Sequence, residues 1–265
     1  MRDFDAYLER IGLGGAGLAT WQAIHRAHVT SIPFENLDPH RGIAVSLDQE
    51  DLERKLVAQR RGGYCFEHNM LFASALEHLG LSVEPMLART RSKGTAPDRR
   101  PATHLVLRVS DGAGSAWHAD VGFGLGTLLD PIPFGADPDR VHEQSGWSFR
   151  VVEEDSNLVL QTLGETGWSD LYAFAPRPVP RIDIEVGNWW TSTNPRSPFV
   201  FGLIAAVNHA DGSREVISDW GGPLEVRTMV PERTEISEQP RSVIPAKLEQ
   251  FGLPGFTLGE DQRVR

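Results

Sequence analysis

The sequence predicts an α+β protein: a helical bundle, then an all-β barrel or sandwich, then a smaller α/β or β-rich segment. Three observations lead there. Helical periodicity runs from Met1 to about Gly80, short β-prone runs alternate with turn signals from Leu81 to Asn188, and both patterns mix in the remainder. The length of 265 residues suits one large domain or a few small ones sharing a core.

The elements follow in chain order. DAYLERIGL opens the helical part, and SLDQEDLERKLVAQRR carries Ser46 and Gln49 at capping-box spacing ahead of Leu52, Leu56 and Val57. The Gly62-Gly63 pair breaks the pattern, and CFEHNMLFASALEHLG then reads as a buried helix stopped by Gly80. In the β-prone part HLVLRVS, AWHADVGF, SFRVVEE, NLVLQTL and RIDIEV read as strands between Gly, Asp-Gly and Pro turns. After STNPRSPF come strand-like FVFGLIAAV and PLEVRTMV and a short helix in SVIPAKLEQFG.

Composition excludes several function classes. Apolar residues at 40% and charged residues at 23% describe a globular protein rather than a disordered one. No apolar run is long enough to span a bilayer, and the acidic start MRDFDAYLERIGLGG is unlike a signal peptide, so a cytoplasmic protein with no membrane partner is expected. A formal charge of −10 argues against nucleic acid as a partner. A single cysteine forbids an intrachain disulfide and a Cys-rich zinc site, and no HExxH spacing exists, so no metal is expected.

That cysteine, Cys65, follows two glycines at the first turn of its helix. Unpaired N–H groups and the positive end of the helix dipole there favour a thiolate and lower the thiol pKa, and the same N–H groups can hold an oxyanion. The competing reading is a small buried apolar side chain. HLVLRVS and SAWHADVGF flank Asp111-Gly112-Ala113-Gly114 as a hairpin, and a turn centred on Gly112 sets His104 directly opposite Asp120, with Cβ atoms about 5 Å apart. An imidazole against a carboxylate is the base-and-orienter half of a Cys-His-Asp triad; otherwise it is a cross-strand hydrogen bond. His68, three residues after Cys65 on the same helix, is the alternative base, although the shared helix gives poor attack geometry.

Ser31-Ile32-Pro33-Phe34-Glu35-Asn36-Leu37, Arg61-Gly62-Gly63-Tyr64-Cys65-Phe66-Glu67-His68-Asn69, Thr103-His104 and Asp120-Val121-Gly122-Phe123-Gly124 occur in the order and at the spacing of the arylamine N-acetyltransferases. The chain resembles that family as far as about Val207. The resemblance implies a helical bundle over residues 1–84, a central β-barrel over 85–190 and an α/β lid over 191–265, in a papain-like and transglutaminase-like cysteine-enzyme arrangement. It implies ping-pong acetyl transfer from acetyl-CoA, a donor substrate and not a permanently bound cofactor, to an arylamine or hydrazine. Carried over residue by residue, Cys65 is the acylated nucleophile, His104 the base and Asp120 the orienter. Phe34, Phe123 and Phe199 become apolar walls for an aromatic substrate.

Glu35 and Arg61 lie within the matching motifs, and an ion pair bracing the bundle is the role expected of them. In ARTRSKGTAPDRRP, Arg89, Arg91, Lys93, Arg99 and Arg100 face the single acid Asp98; Arg91, Lys93, Arg99 and Arg100 are candidates for the phosphates of coenzyme A, against the reading of a solvated basic loop. Leu105 and Leu125 depart from the family pattern and are expected to narrow the acceptor mouth. These departures keep open a second reading, an amide synthase that closes an ansamycin polyketide onto its own amine and receives it from an acyl carrier protein. A third reading is a binding module with a degenerate site.

Overall fold

The computed structural model describes residues 1–15, 19–91 and 100–265. Its N-terminal part holds α1 (Phe4–Arg10), α2 (Trp21–Ser31), β1 (Phe34–Glu35), α3 (Leu37–His40), α4 (Gln49–Leu52), which continues as a π turn over Glu53–Ala58, and α5 (Cys65–His78). Asp3 caps α1 by accepting the Ala6 N–H, and Thr20 caps α2 by accepting the Ala23 N–H. Gly80, at φ +82°, ends the turn after α5 in the left-handed region that glycine tolerates. Ser46 does not cap α4 as expected. Asp48 precedes the helix, and Ser46 Oγ instead accepts the Asp48 N–H in a local turn.

Eight antiparallel strands follow: β2 (Ser82–Thr90), β3 (His104–Ser110), β4 (Ala116–Ala119), β5 (Ile132–Pro133), β6 (Asp137–Gln144), β7 (Trp147–Glu154), β8 (Asn157–Gly164) and β9 (Gly167–Phe174). They pair in the order β5-β4-β3-β2-β9-β8-β7-β6 and curl into a nearly closed barrel filled by Met86, Val106, Phe149, Leu160 and Tyr172. Strand β3 is buried on both faces. Leu105, Leu107 and Val109 join the core that contains Phe66, Leu71 and Phe72 of α5, while Val106 points into the barrel.

The last part holds α6 (Arg181–Thr193), α7 (Pro198–Phe201), β10 (Leu203–Asn208), β11 (Arg214–Asp219), β12 (Leu224–Val230), β13 (Arg233–Gln239) and α8 (Ile244–Gln250). Its five-stranded sheet runs β1-β10-β11-β12-β13, so the N-terminal segment Phe34–Glu35 supplies an edge strand, pairing Phe34 with Ala206. Two expectations fail here. RIDIEV is the start of helix α6, because Pro180 opens a helix that runs on through GNWWTST, and its alternating Ile182 and Val186 face solvent while Ile184 and Gly187 are buried. FVFGLIAAV is broken at Gly202 into a helical turn and a strand.

Candidate active site

Two glycines set the nucleophile's position. A Cβ on Gly62 would stand 2.2 Å from the Pro33 carbonyl oxygen, and one on Gly63 2.8 Å from Glu67 Oε2, so only glycine lets this segment lie against the β1 chain. There the Glu35 N–H donates to Gly63 O at 2.8 Å. Helix α5 then begins at Cys65, with Glu67 Oε2 reaching back to accept the Tyr64 N–H at 3.1 Å.

Charges brace this segment from behind. Lys55 Nζ bridges Glu67 Oε1 and Asp38 Oδ2, both at 2.7 Å, and Arg61 Nη2 bridges Glu35 Oε1 at 2.7 Å and Asp38 Oδ1 at 3.0 Å. The ion pair expected of Glu35 and Arg61 is present within this larger network. Burial pushes the Glu67 carboxyl up to about 7 although Lys55 opposes the rise.

Cys65 is 4% exposed, and its Sγ lies 3.4 Å from the Thr103 carbonyl oxygen, one residue before His104. Burial, reinforced by the Asp120 carboxylate, pushes the thiol up, against the backbone bonds from Leu105 and Phe66 that favour the thiolate. Desolvation therefore opposes the depression expected from the helix N-terminus. A thiolate at this site needs a proton acceptor beside it.

His104 Nε2 stands 2.7 Å from Asp120 Oδ2, and both residues are buried. The hairpin register differs from the expected one: β3 and β4 pair Leu107 with Ala119, which shifts the opposition by two residues and places Asp120 just past the end of β4. A shift of two preserves the face, so the diagonal pair still meets. Asp120 Oδ1 accepts from Asn69 Nδ2 at 3.0 Å and from the Gly122 N–H at 2.9 Å. Burial disfavours this carboxylate, but His104 and these hydrogen bonds outweigh it and hold Asp120 well below the usual carboxylate range.

Three residues around Asp120 were not singled out by the sequence. His25 donates from Nδ1 to Leu129 O at 3.1 Å and accepts the Asp120 N–H at Nε2, 3.3 Å away. Asn69 ties Asp120 to α5 and also donates to Leu105 O at 2.8 Å. Tyr172 packs on the His104 ring at 4.8 Å, and its OH meets His118 Nε2 at 2.9 Å. The spacing of Ile24, His25, His28 and Val29 marks a buried face of α2, but nothing local reveals what His25 touches.

His68 is not placed to be the base. Its Nε2 donates to Pro33 O at 3.1 Å, its Nδ1 accepts from His28 Nε2 at 2.9 Å, and His28 Nδ1 in turn accepts from Tyr7 OH at 2.9 Å. This chain fixes both rings as neutral, and burial depresses both histidines, His68 to about 4.

Of the aromatic candidates, Phe123 meets the His104 ring edge-on at 5.0 Å, and Phe199 contacts Phe34 at 6.2 Å and Tyr64 at 5.6 Å. Phe34 is buried beneath the Phe123-Gly124 turn, where a Gly124 Cβ would stand 2.9 Å from its ring. Leu105 is fully buried in the core under β3 and does not reach the mouth, contrary to expectation; Leu125 is partly buried against the same core. Arg91 is engaged with Glu154 at 2.8 Å and Asp170 at 3.2 Å, whereas Arg100 lines a cleft with Thr103. Lys93 and Arg99 lie outside the described residues. Among the described residues no cluster of His, Cys, Asp and Glu could hold a metal, and no helix is long and apolar enough to cross a membrane.

Comparison with known proteins places this geometry in a family. Residues 17–221 match the family model described as N-acetyltransferase. The chain is 41% identical to the arylamine N-acetyltransferase of Mycolicibacterium smegmatis, over 99% of this chain and 96% of that protein. It superposes on the Mycobacterium marinum arylamine N-acetyltransferase in complex with CoA with a TM-score of 0.85 at 34% identity, covering 95% of this chain and 93% of that one. Proansamycin X synthase of Amycolatopsis mediterranei is 34% identical over 66% of this chain and 68% of that protein. The chain belongs to the arylamine N-acetyltransferase family and is an acyltransferase.

Proposed function

We propose that the protein carries an acetyl group from acetyl-CoA to an arylamine or hydrazine through a thioester on Cys65, with His104 as base and Asp120 as its orienter. The observation that carries this reading is the meeting of three distant segments: Cys65 Sγ beside the Thr103 carbonyl, and His104 Nε2 bonded to Asp120 Oδ2. The bond to Asp120 leaves Nδ1 as the ring atom that takes the thiol proton. Burial favours the neutral thiol, and transfer of its proton to His104 makes the nucleophile.

In the first half-reaction the Cys65 sulfur attacks the thioester carbonyl, the carbon–sulfur bond to coenzyme A breaks, and the departing thiolate takes the proton from His104. Backbone N–H groups at the start of α5 hold the oxyanion. In the second half the amine attacks the acetyl carbon, the bond to Sγ breaks, and the amine proton passes through His104 back to sulfur. Phe123 and Phe199 wall the aromatic acceptor, with Phe34 behind them. The donor assignment draws on the likeness to a protein solved with CoA; Lys93, Arg99 and Arg100 are assigned to its phosphates, and Arg91 less so because it is held by two carboxylates. The parts 1–84, 85–190 and 191–265 supply nucleophile, base and lid in a papain-like arrangement, and a reducing cytoplasm keeps the lone thiol available.

Acetyl transfer is favoured over the amide-synthase reading because the likeness to an acetyltransferase spans nearly the whole chain, whereas the likeness to the synthase spans two thirds. Initial rates with varied acetyl-CoA and arylamine test it: parallel double-reciprocal lines support the ping-pong route, and intersecting lines refute it.

A further inference from the structure

Arg214 opens strand β11 and is only 1% exposed. It shares a face of the strand with Val216, which joins the core around α5, while Ile217 lies on the opposite face and packs in the cluster of Leu248 from α8. The guanidinium is thereby carried into the seam between the five-stranded sheet and the barrel. Its Cζ lies 4.3 Å from the centre of the Trp147 ring, at the start of β7, and its Nη2 donates to the Thr127 carbonyl oxygen at 3.1 Å. Trp147 Nε1 donates to the Gly212 carbonyl oxygen at 2.7 Å, so the ring and the chain that meet at the guanidinium are tied to each other.

Burying such a group is unfavourable. Among the described residues no carboxylate pairs with it and its Nε has no hydrogen-bond partner; burial lowers it to about 10, which leaves it charged at neutral pH. An apolar side chain such as methionine would fill similar space without the desolvation. What the cation alone supplies is a charged donor directed at the Thr127 carbonyl.

Thr127 closes the loop that begins at Asp120. Its Oγ1 donates to the Asp120 carbonyl oxygen at 3.2 Å, and both residues are buried. The stretch from Val121 to Gly126 leaves and returns at this bond, carrying Phe123 against the His104 ring. The main chain of Asp120 is thus held at its N–H by His25 and at its carbonyl by Thr127.

We propose that Arg214 is a positioning residue for the base: through Thr127 it holds the neck of the Asp120 loop and so sets where the Asp120 carboxylate meets His104. The proposal rests on the reading of Asp120 as the orienter of His104 and extends it to a residue on a strand of the other sheet.

The test is a double-mutant cycle on acylation of Cys65 by p-nitrophenyl acetate, with urea unfolding measured alongside. Arg214→Met fills the volume without the donor, Arg214→Lys keeps a cationic donor, and Thr127→Val keeps the carbonyl but removes Oγ1. Acylation should slow by roughly 10- to 100-fold in Arg214→Met and in Thr127→Val, as a displaced Asp120–His104 pair requires. Arg214→Lys should recover most of that loss, and the Arg214→Met, Thr127→Val double variant should be no slower than the slower single variant, because both changes cut one linkage. Wild-type acylation in a folded Arg214→Met protein overturns the proposal, and so does a double variant in which the two losses multiply. Wild-type acylation by Thr127→Val overturns it whether or not Arg214→Met folds. A urea midpoint lowered alike in the Met and Lys variants, with no kinetic recovery by lysine, also overturns it by giving Arg214 a purely structural role. Slow acylation by Asp120→Asn beside wild-type rates in Arg214→Met would leave the orienter reading standing and defeat this proposal alone, whereas an active Asp120→Asn protein defeats both.

Discussion

Gly122 lies flat against Cys65: a Cβ at position 122 would stand 2.9 Å from Cys65 Cα, 3.0 Å from its carbonyl oxygen and 2.9 Å from Asn69 Nδ2. The turn that carries Asp120 is thereby seated on the first turn of α5, backbone to backbone. Gly122→Ala can be accommodated only by moving that turn away from the helix. A displacement of this kind costs about 1–3 kcal/mol of stability and slows a geometry-dependent reaction by roughly 10- to 100-fold. Urea unfolding and the acylation burst with p-nitrophenyl acetate measure the two effects. Wild-type burst rates in the variant would show that the contact does not set the site.

Asp120→Asn should keep the fold and abolish the base. The Asn side-chain oxygen can remain with Asn69 Nδ2 and the Gly122 N–H, which turns its NH₂ toward His104 Nε2. That nitrogen must then accept, the ring proton moves to Nδ1, and no lone pair is left for the thiol proton. A loss of roughly 10³- to 10⁴-fold in acylation is expected. Near-normal acylation in a folded Asp120→Asn protein would remove Asp120 from the proposed triad.

Acid should unfold the protein early. His25, His68 and His118 are buried, and burial depresses each to about 4 from an unfolded value near 6.5. Below pH 6.5 the unfolded chain binds more protons than the native one, so stability is full above that value and falls as pH drops toward 4. Each histidine loses about 2 kcal/mol by pH 5, a large share of a typical folding free energy when three act together. Urea midpoints at pH 7.5 and 5.0 check this, and His25→Phe should flatten the dependence by about one proton. An unchanged midpoint at pH 5.0 would contradict the neutral assignment.

The sequence carries the helix of Cys65 and four of the eight barrel strands, β3, β4, β7 and β8, because Gly62-Gly63, Gly80 and the alternating apolar runs are local signals. It also carries the facing of His104 and Asp120, since period-two alternation survives a register error of two residues. RIDIEV was misread because alternation is equally compatible with a helix whose outer positions are apolar, as Ile182 and Val186 are. The role of His25 was not legible, since its partners Leu129 and Asp120 lie about a hundred residues away and only the fold brings them together. The burial of the thiol was not legible for a related reason. The helix N-terminus is visible in sequence, but the desolvation that opposes it comes from the Asp120 turn and β3 packing over Cys65.

The covalent role of Cys65 is tested most directly by intact-protein mass spectrometry after brief exposure to acetyl-CoA, with and without an arylamine. The account predicts the mass of one added acetyl group on the wild-type protein, its loss when the amine is supplied, and no addition to Cys65→Ala. Acetyl label that persists on Cys65→Ala, or an unlabelled wild-type protein that still acetylates the amine, would contradict it.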